Sequence, residues 1–141
     1  MDTFDRRTRS RIMATVKSKG SRIEKQATRI LRKAGIKGLT IHAKGLVGNP
    51  DLVIARRRMA IFVDSCFWHG CPKHLRVPSS NKRYWRAKLD MNIARDISKR
   101  SKLRRQGWSV MRIWEHDLSN PAGVTKRVLR AVAQPRNRST E

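Results

Sequence analysis

The stretch DLVIARRRMAIFVD, residues 51–64, decides the fold of this chain. Asp51 to Ala55 and Met59 to Asp64 are short runs rich in β-branched and apolar residues, interrupted by Arg56, Arg57 and Arg58. Such runs around a polar break read as paired strands, and the three arginines predict an exposed hairpin tip. Upstream, Ile23, Ala27, Ile30 and Leu31 recur at helical spacing. Ser21 with Glu24 forms a capping box and Gly35 stops the run, so a helix is predicted over 21–34. Downstream, Trp85, Leu89, Ile93 and Ile97 lie four apart on one stripe, and Gly107 closes a helix predicted from about Asn81 to Gln106. WSVMRIW, residues 108–114, alternates as a strand with both faces partly apolar, and Pro121 opens a last helix to about Ala133. Helix, strand pair, helix, strand, helix predicts an α/β fold with a central mixed sheet flanked by helices.

The whole chain has 141 residues, 38% of them hydrophobic, which suits one domain. Composition divides it into a basic N-terminal arm (1–20), a folded domain (21–133) and a disordered tail (134–141). Thirty-four Lys and Arg against ten Asp and Glu give a formal net charge of +24. A field that positive favours phosphate backbones, but does not itself separate an enzyme from a ribosomal, architectural or membrane-surface protein. No apolar run approaches the roughly 20 residues of a membrane span, and the first residues lack the apolar core of a secretory signal. Two closely spaced cysteines beside histidines suit a reducing compartment and a metal site better than a disulfide framework.

Asp51 opens the first strand of the pair and Asp64 closes the second, so an antiparallel pairing brings both carboxylates to one end. Such a pair can share a divalent cation, Mg²⁺ by its preference for oxygen, which activates water and offsets charge on a phosphate under attack. The alternative is a turn-capping Asp51 and a solvated Asp64. Immediately after come Cys66, His69, Cys71 and His74, and His116 follows the last strand. Cys66, Cys71, His74 and His116 make a plausible tetrahedral Zn²⁺ set, leaving His69 for proton transfer; the alternative is two buried thiols with surface histidines. Phe67, Trp68, Tyr84 and Trp85 surround this loop. They serve either to stack on or wedge between bases, or simply as packing.

At GNPDLVI (48–54), FVDSCFWHGCPKH (62–74), YWRAKLDMNIARD (84–96) and GWSVMRIWEHDL (107–118) the sequence resembles the very-short-patch-repair (Vsr) family of DNA mismatch endonucleases. TRSRIM and RIEK near the N-terminus are similar too, so the resemblance runs over about residues 6–132. It implies a restriction-endonuclease-like fold with structural zinc, and a Mg²⁺-dependent enzyme. That enzyme nicks the T strand of double-stranded DNA at T:G mismatches arising from 5-methylcytosine deamination, leaving a 5′-phosphate and a 3′-hydroxyl and initiating very short patch repair. It implies a monomer acting on DNA in a bacterial cytoplasm, at the nucleoid, with no membrane association and with a mismatch-repair protein as a candidate partner.

Residue by residue, the resemblance makes Asp51 the Mg²⁺ ligand beside the backbone carbonyl of Val63, His69 the general acid/base and Asp96 the carboxylate that orients it. Without the family, Asp96 reads equally as a helix carboxylate paired with Arg100. Glu24 matches an acidic position near the active site and is also the capping-box residue. Phe67, Trp68 and Trp85 match aromatics that insert beside the mismatch, Lys88 and Asn92 match contacts to the mispaired bases, and Met13 approaches from the minor groove. Lys88 reads otherwise as one more exposed cation. The family's best-known members carry His where this chain has Asp64 and Thr where it has Val63. Cys71 and His116 exchange the family's His and Cys, which keeps a Cys₂His₂ set.

Two other functions compete. One is a related nuclease with another mismatch specificity or acting on unmodified DNA. The other is a non-catalytic, basic, zinc-containing DNA-binding module in which Asp51 and His69 are structural.

Overall fold

The computed structural model describes residues 22–66, 69–72 and 81–134. The arm, all of the tail but Gln134, and Met13, Ser21, Phe67, Trp68 and His74 lie outside the described residues. Helix α1 covers 22–33, followed by strand β1 (Leu39–Ile41), β2 (Leu52–Ile54), β3 (Met59–Asp64), helix α2 (Lys82–Arg105), β4 (Ser109–Trp114) and helix α3 (Pro121–Ala133). They form a four-stranded mixed sheet in the order β1-β2-β3-β4. β1, β2 and β3 are antiparallel neighbours, and β4 runs parallel to β3 after the α2 crossover. The architecture is therefore α/β, as the element order predicts, with β1 as an additional edge strand.

Alternation sorts the sheet's side chains onto two faces. Leu52, Ile54, Met59, Ile61, Val63 and Ile113 join Ile23, Ala27 and Leu31 of α1 and Val124 and Val128 of α3 in one core cluster. The opposite face carries Val53, Ala60, Asp64, Arg112 and Trp114, and receives α2, whose Trp85, Leu89 and Leu103 are buried. β3, buried at every position but Phe62, is the central strand and ends at the site.

Both long-range turns of the chain are set by glycines. α1 ends with Gly35 N–H donating to the Arg32 carbonyl and Ile36 N–H to that of Leu31. α2 repeats the pattern with Gly107 to Arg104 and Trp108 to Leu103. This pair of hydrogen bonds requires a left-handed residue, and Gly35 (φ 81°) and Gly107 (φ 87°) supply it. α3 begins at Pro121, with the Asn120 side chain accepting from Gly123 N–H at 3.2 Å.

One expectation is extended and one changes. The exposed hairpin tip is the 3₁₀ turn Ala55–Arg57 closed by left-handed Arg58 (φ 48°), and it also acts as a clamp. Arg56 donates to the Lys37 carbonyl, Arg57 to that of Gln134 just past α3, and Arg58 to that of Gln106 at the end of α2. Cations at helix C-termini complement orphan carbonyls and the helix dipole. The stripe of α2 also does not stay buried, since Ile97 is 55% exposed. Steps of four residues in a helix with 3.6 per turn drift by about 40° each, so Ile97 has rotated roughly a third of a turn away from Trp85. Among the described residues, no helix is long and apolar enough to cross a membrane.

Candidate active site

Three groups of side chains gather at the end of the sheet where β2 begins and β3 stops. The first joins Glu24, His42 and Asp51, whose ligand atoms all lie within 4.8 Å of one another. Asp51 follows a buried Pro50 and accepts a hydrogen bond from Val63 N–H at 2.7 Å. Glu24 turns its carboxylate from α1 toward this point, and His42 Nε2 lies 3.1 Å from Glu24 Oε2. Burial pushes the Asp51 carboxyl up to about 7, with Glu24 and Asp64 adding to the rise and the Val63 N–H opposing it. Two carboxylates crowded beside an imidazole are what a divalent cation can bridge, so the donor set fits Mg²⁺ or a similar ion.

The second group is Asp64, His69 and Asp96. His69 Nδ1 lies 2.6 Å from Asp96 Oδ2, and its Nε2 is 3.5 Å from Asp64 Oδ1. Arg112, one register step from Trp114 on β4, donates from Nε to Asp64 Oδ2 at 2.6 Å and from Nη2 to Asp96 Oδ2 at 3.4 Å. Its guanidinium carbon sits 4.4 Å from the centroid of the Trp114 ring. Burial raises the pKa of Asp64, while His69 and Arg112 pull it back. For Asp96 burial acts upward too, but the His69 hydrogen bond and the charges of His69, Arg112 and Arg100 outweigh it and hold the carboxyl low. Asp96 thus spends its hydrogen bonds on His69 and Arg112. Asp51 and Asp64, expected to share one cation, belong to different groups, close enough for the charge of Asp64 to raise Asp51.

Arg112 is the counter-charge of a carboxylate that is only 3% exposed. Replacing it by Met should cost about 3 kcal/mol at pH 8, where Asp64 would be left charged and buried. Without the guanidinium the folded-state pKa of Asp64 rises further, and that contribution is lost as pH climbs through it, so the deficit should shrink at pH 5. Urea unfolding of Arg112→Met at the two pH values reads this directly. An equal loss at both would mean Asp64 does not depend on Arg112.

The third group is Cys66, Cys71 and His116. His116 Nδ1 lies 3.3 Å from Cys66 Sγ and 3.6 Å from Cys71 Sγ, and both cysteines are buried thiols. Zn–S bonds of about 2.3 Å and Zn–N bonds of about 2.0 Å at tetrahedral angles separate sulfur and nitrogen by roughly 3.5 Å, so the spacing fits zinc. Burial pushes the Cys66 thiol up to about 11, with neighbouring Cys71 adding to it and a backbone hydrogen bond from His116 opposing it. His116 Nε2 faces Asp117 Oδ1 at 3.5 Å, a carboxylate placed to fix the ring, and Cys66 N–H donates to Glu115 at 3.2 Å. Gly70, between the cysteines, packs closely on α2, since a Cβ there would meet Ile93 at 2.5 Å.

Of the DNA-contacting residues expected from the sequence, Lys88 and Asn92 are half-buried on α2. Trp85 is 1% exposed and edge-on to Tyr84 at 5.1 Å, so here it is a core side chain rather than a surface one. His42, Arg112 and Asp117 escape the sequence reading. Only the pairing of His42 with Asp51 across β1 and β2, and of Phe62 with Arg112 across β3 and β4, brings the first two in.

Buried and half-buried carboxylates and an imidazole held between two of them, on an α/β sheet in a chain of net charge +24, are the equipment of a nuclease. Residues 1–74 match the family model described as DNA mismatch endonuclease Vsr. The chain is 37% identical over 125 residues to the type II nicking enzyme V.XorIIP of Xanthomonas oryzae pv. oryzae, covering 88% of this chain and 90% of that enzyme. It is 32% identical over 129 residues to the DNA mismatch endonuclease Vsr of Escherichia coli, covering 91% and 82%. With the type II nicking enzyme V.NaeI of Lentzea aerocolonigenes it shares 45% identity over 73 residues, 52% of this chain and 44% of that enzyme. The chain belongs to the Vsr family of DNA mismatch endonucleases, and it is an endonuclease.

Proposed function

We propose that this endonuclease nicks the T strand of double-stranded DNA at T:G mismatches arising from 5-methylcytosine deamination, using Mg²⁺, and so initiates very short patch repair. The observation that carries the reading is the meeting, at one sheet end, of the Asp51 carboxylate with the His69–Asp96 pair through Asp64. Relatives named as nicking enzymes favour cutting one strand. The fold is read as restriction-endonuclease-like, with Zn²⁺ held by Cys66, Cys71 and His116 and with His74 as the fourth ligand.

Asp51, with Glu24 beside it and the Val63 carbonyl on the same strand edge, would hold the cation, whose chemistry is to acidify water and offset charge on the phosphate. Water attacks phosphorus in line with O3′, the P–O3′ bond breaks, and the products are a 5′-phosphate and a 3′-hydroxyl. One proton leaves the water and one reaches O3′, and His69, aligned by Asp96, is the group placed to move a proton. Asp64 stands against His69 Nε2, so in this chain it governs that imidazole as much as the cation. Lys88 and Asn92 would meet the mispaired bases, and Phe67, Trp68 and Met13 would hold the opened duplex. The protein would act as a monomer in the cytoplasm, on DNA, with a mismatch-repair protein as partner.

The test is an end-labelled duplex with one T:G pair in several methyltransferase-type contexts, beside matched T:A and C:G duplexes, in Mg²⁺ and in EDTA. A Mg²⁺-dependent nick on the mismatched T strand alone is expected. Equal cutting of all three duplexes would remove mismatch specificity, and cutting in EDTA would remove the cation.

A further inference from the structure

Beyond the carboxylates stands His42, a residue to which the reading above gives no role. It leaves β1 in the left-handed region (φ 51°), its N–H still donating to the Asp51 carbonyl at 3.0 Å. Histidine is among the few residues that tolerate this conformation, which here ends the strand opposite Asp51. Its Nε2 is 3.1 Å from Glu24 Oε2, and with Asp51 the three donors span no more than 4.8 Å. Neighbouring ligands of one octahedral ion with bonds slightly over 2 Å lie about 3 Å apart, and opposite ones a little over 4 Å. Glu24 and His42 therefore already stand at the separation of neighbouring ligands to one ion, and Asp51 lies within a small adjustment of it.

We infer that His42 is a third protein ligand of the cation held by Asp51 and Glu24, and that this nitrogen tunes the site toward Mn²⁺ over Mg²⁺. The inference rests on the reading of Asp51 as a ligand of the catalytic ion. Mg²⁺ favours oxygen donors and gives up water reluctantly, whereas imidazole is a good ligand for the divalent transition ions. An all-carboxylate site would gain nothing from an imidazole, while a mixed site gains selectivity. The position is also open: Glu24 and His42 line a groove of about 750 Å³ with Lys25, Arg29, Arg32 and Lys33. His42 is 61% exposed at its side chain, so replacing it leaves the core intact.

The experiment is a Mn²⁺ titration of the zinc-loaded full chain, without DNA, followed by electron paramagnetic resonance. The expected result is a site that requires Asp51 and shows magnetic coupling to an imidazole nitrogen. In His42→Gln that coupling disappears and Mn²⁺ affinity falls about tenfold or more, while Mg²⁺ affinity, read by competition, falls much less. In His69→Gln the coupling persists. Mn²⁺ binding that needs Asp51 but shows no nitrogen coupling, or the same affinity in His42→Gln, overturns the ligand role of His42 and leaves the Asp51 reading standing. Loss of the coupling in His69→Gln overturns it too. Binding indifferent to Asp51→Asn would overturn both.

Discussion

Asp51→Asn is expected to produce a dead but sturdier protein. If this carboxylate holds the cation, losing it forfeits several kcal/mol of transition-state stabilisation, about a thousandfold or more in nicking rate, with duplex binding retained. The stability effect has the opposite sign and a definite pH window. In the folded chain burial holds the carboxyl up at about 7, against an ordinary 3.8. The folded state therefore holds the proton more tightly than the unfolded one. That contribution is complete below about pH 4 and is lost as pH rises to 7, amounting to at most about 4 kcal/mol. Asparagine keeps the shape and an oxygen for the Val63 N–H but carries no charge to bury. In zinc-loaded, magnesium-free protein the variant should thus melt above the wild type at pH 8, by a margin that narrows toward pH 5. Equal melting at both pH values would mean that Asp51 is solvated. Undiminished nicking would mean that the ion is held elsewhere.

The same site shows where a sequence stops being readable. α1, α2 and α3 are legible because their ends are chemically marked, by Gly35, by Gly107 and by Asn120 with Pro121. β2 and β3 are legible from their apolar runs. β1 is not, because Leu39–Ile41 is too short to show a period of two and two of its three residues are exposed. With β1 goes His42. Arg112 is lost for a related reason: its neighbours Asp64 and Asp96 are set by the register of a parallel pair and by the rotation of α2, neither of which leaves a local trace. The helix itself shows the limit. At about 1.5 Å per residue, α2 runs roughly 36 Å, and only part of that length lies over apolar sheet. Its middle faces loops instead, Ile93 against Gly70 and Lys99 against Gly48, which is why Asn92, Asp96 and Arg100 take positions that an apolar stripe would have filled. What clusters within one segment, such as Cys66 and Cys71, can be read directly. What two segments build together cannot.

Zinc removal should have the second large effect, and for a structural reason. Cys66 and Cys71 belong to the segment after β3, and His116 to the 3₁₀ turn Glu115–Ser119 after β4, so one ion would tie together the ends of two neighbouring strands. His69 lies between the two cysteines, and its backbone N–H is held by the Ser65 carbonyl at 3.2 Å. A site assembled only in the folded state contributes its binding free energy to folding, several kcal/mol against a total stability of the order of 10 kcal/mol. Chelation of zinc, or Cys71→Ser, should therefore lower the melting temperature by about 10 °C or more. Nicking should be lost with it, because the 2.6 Å contact of His69 with Asp96 depends on the segment between the cysteines. Mg²⁺ should not restore the cut, whereas Zn²⁺ returned before Mg²⁺ should. Co²⁺ in place of zinc should give the absorption of a tetrahedral site with thiolate ligands. A chelated protein that melts and cuts like the untreated one would instead make Cys66 and Cys71 plain buried thiols, and would leave the packing of Gly70 against Ile93 as what holds His69 in place.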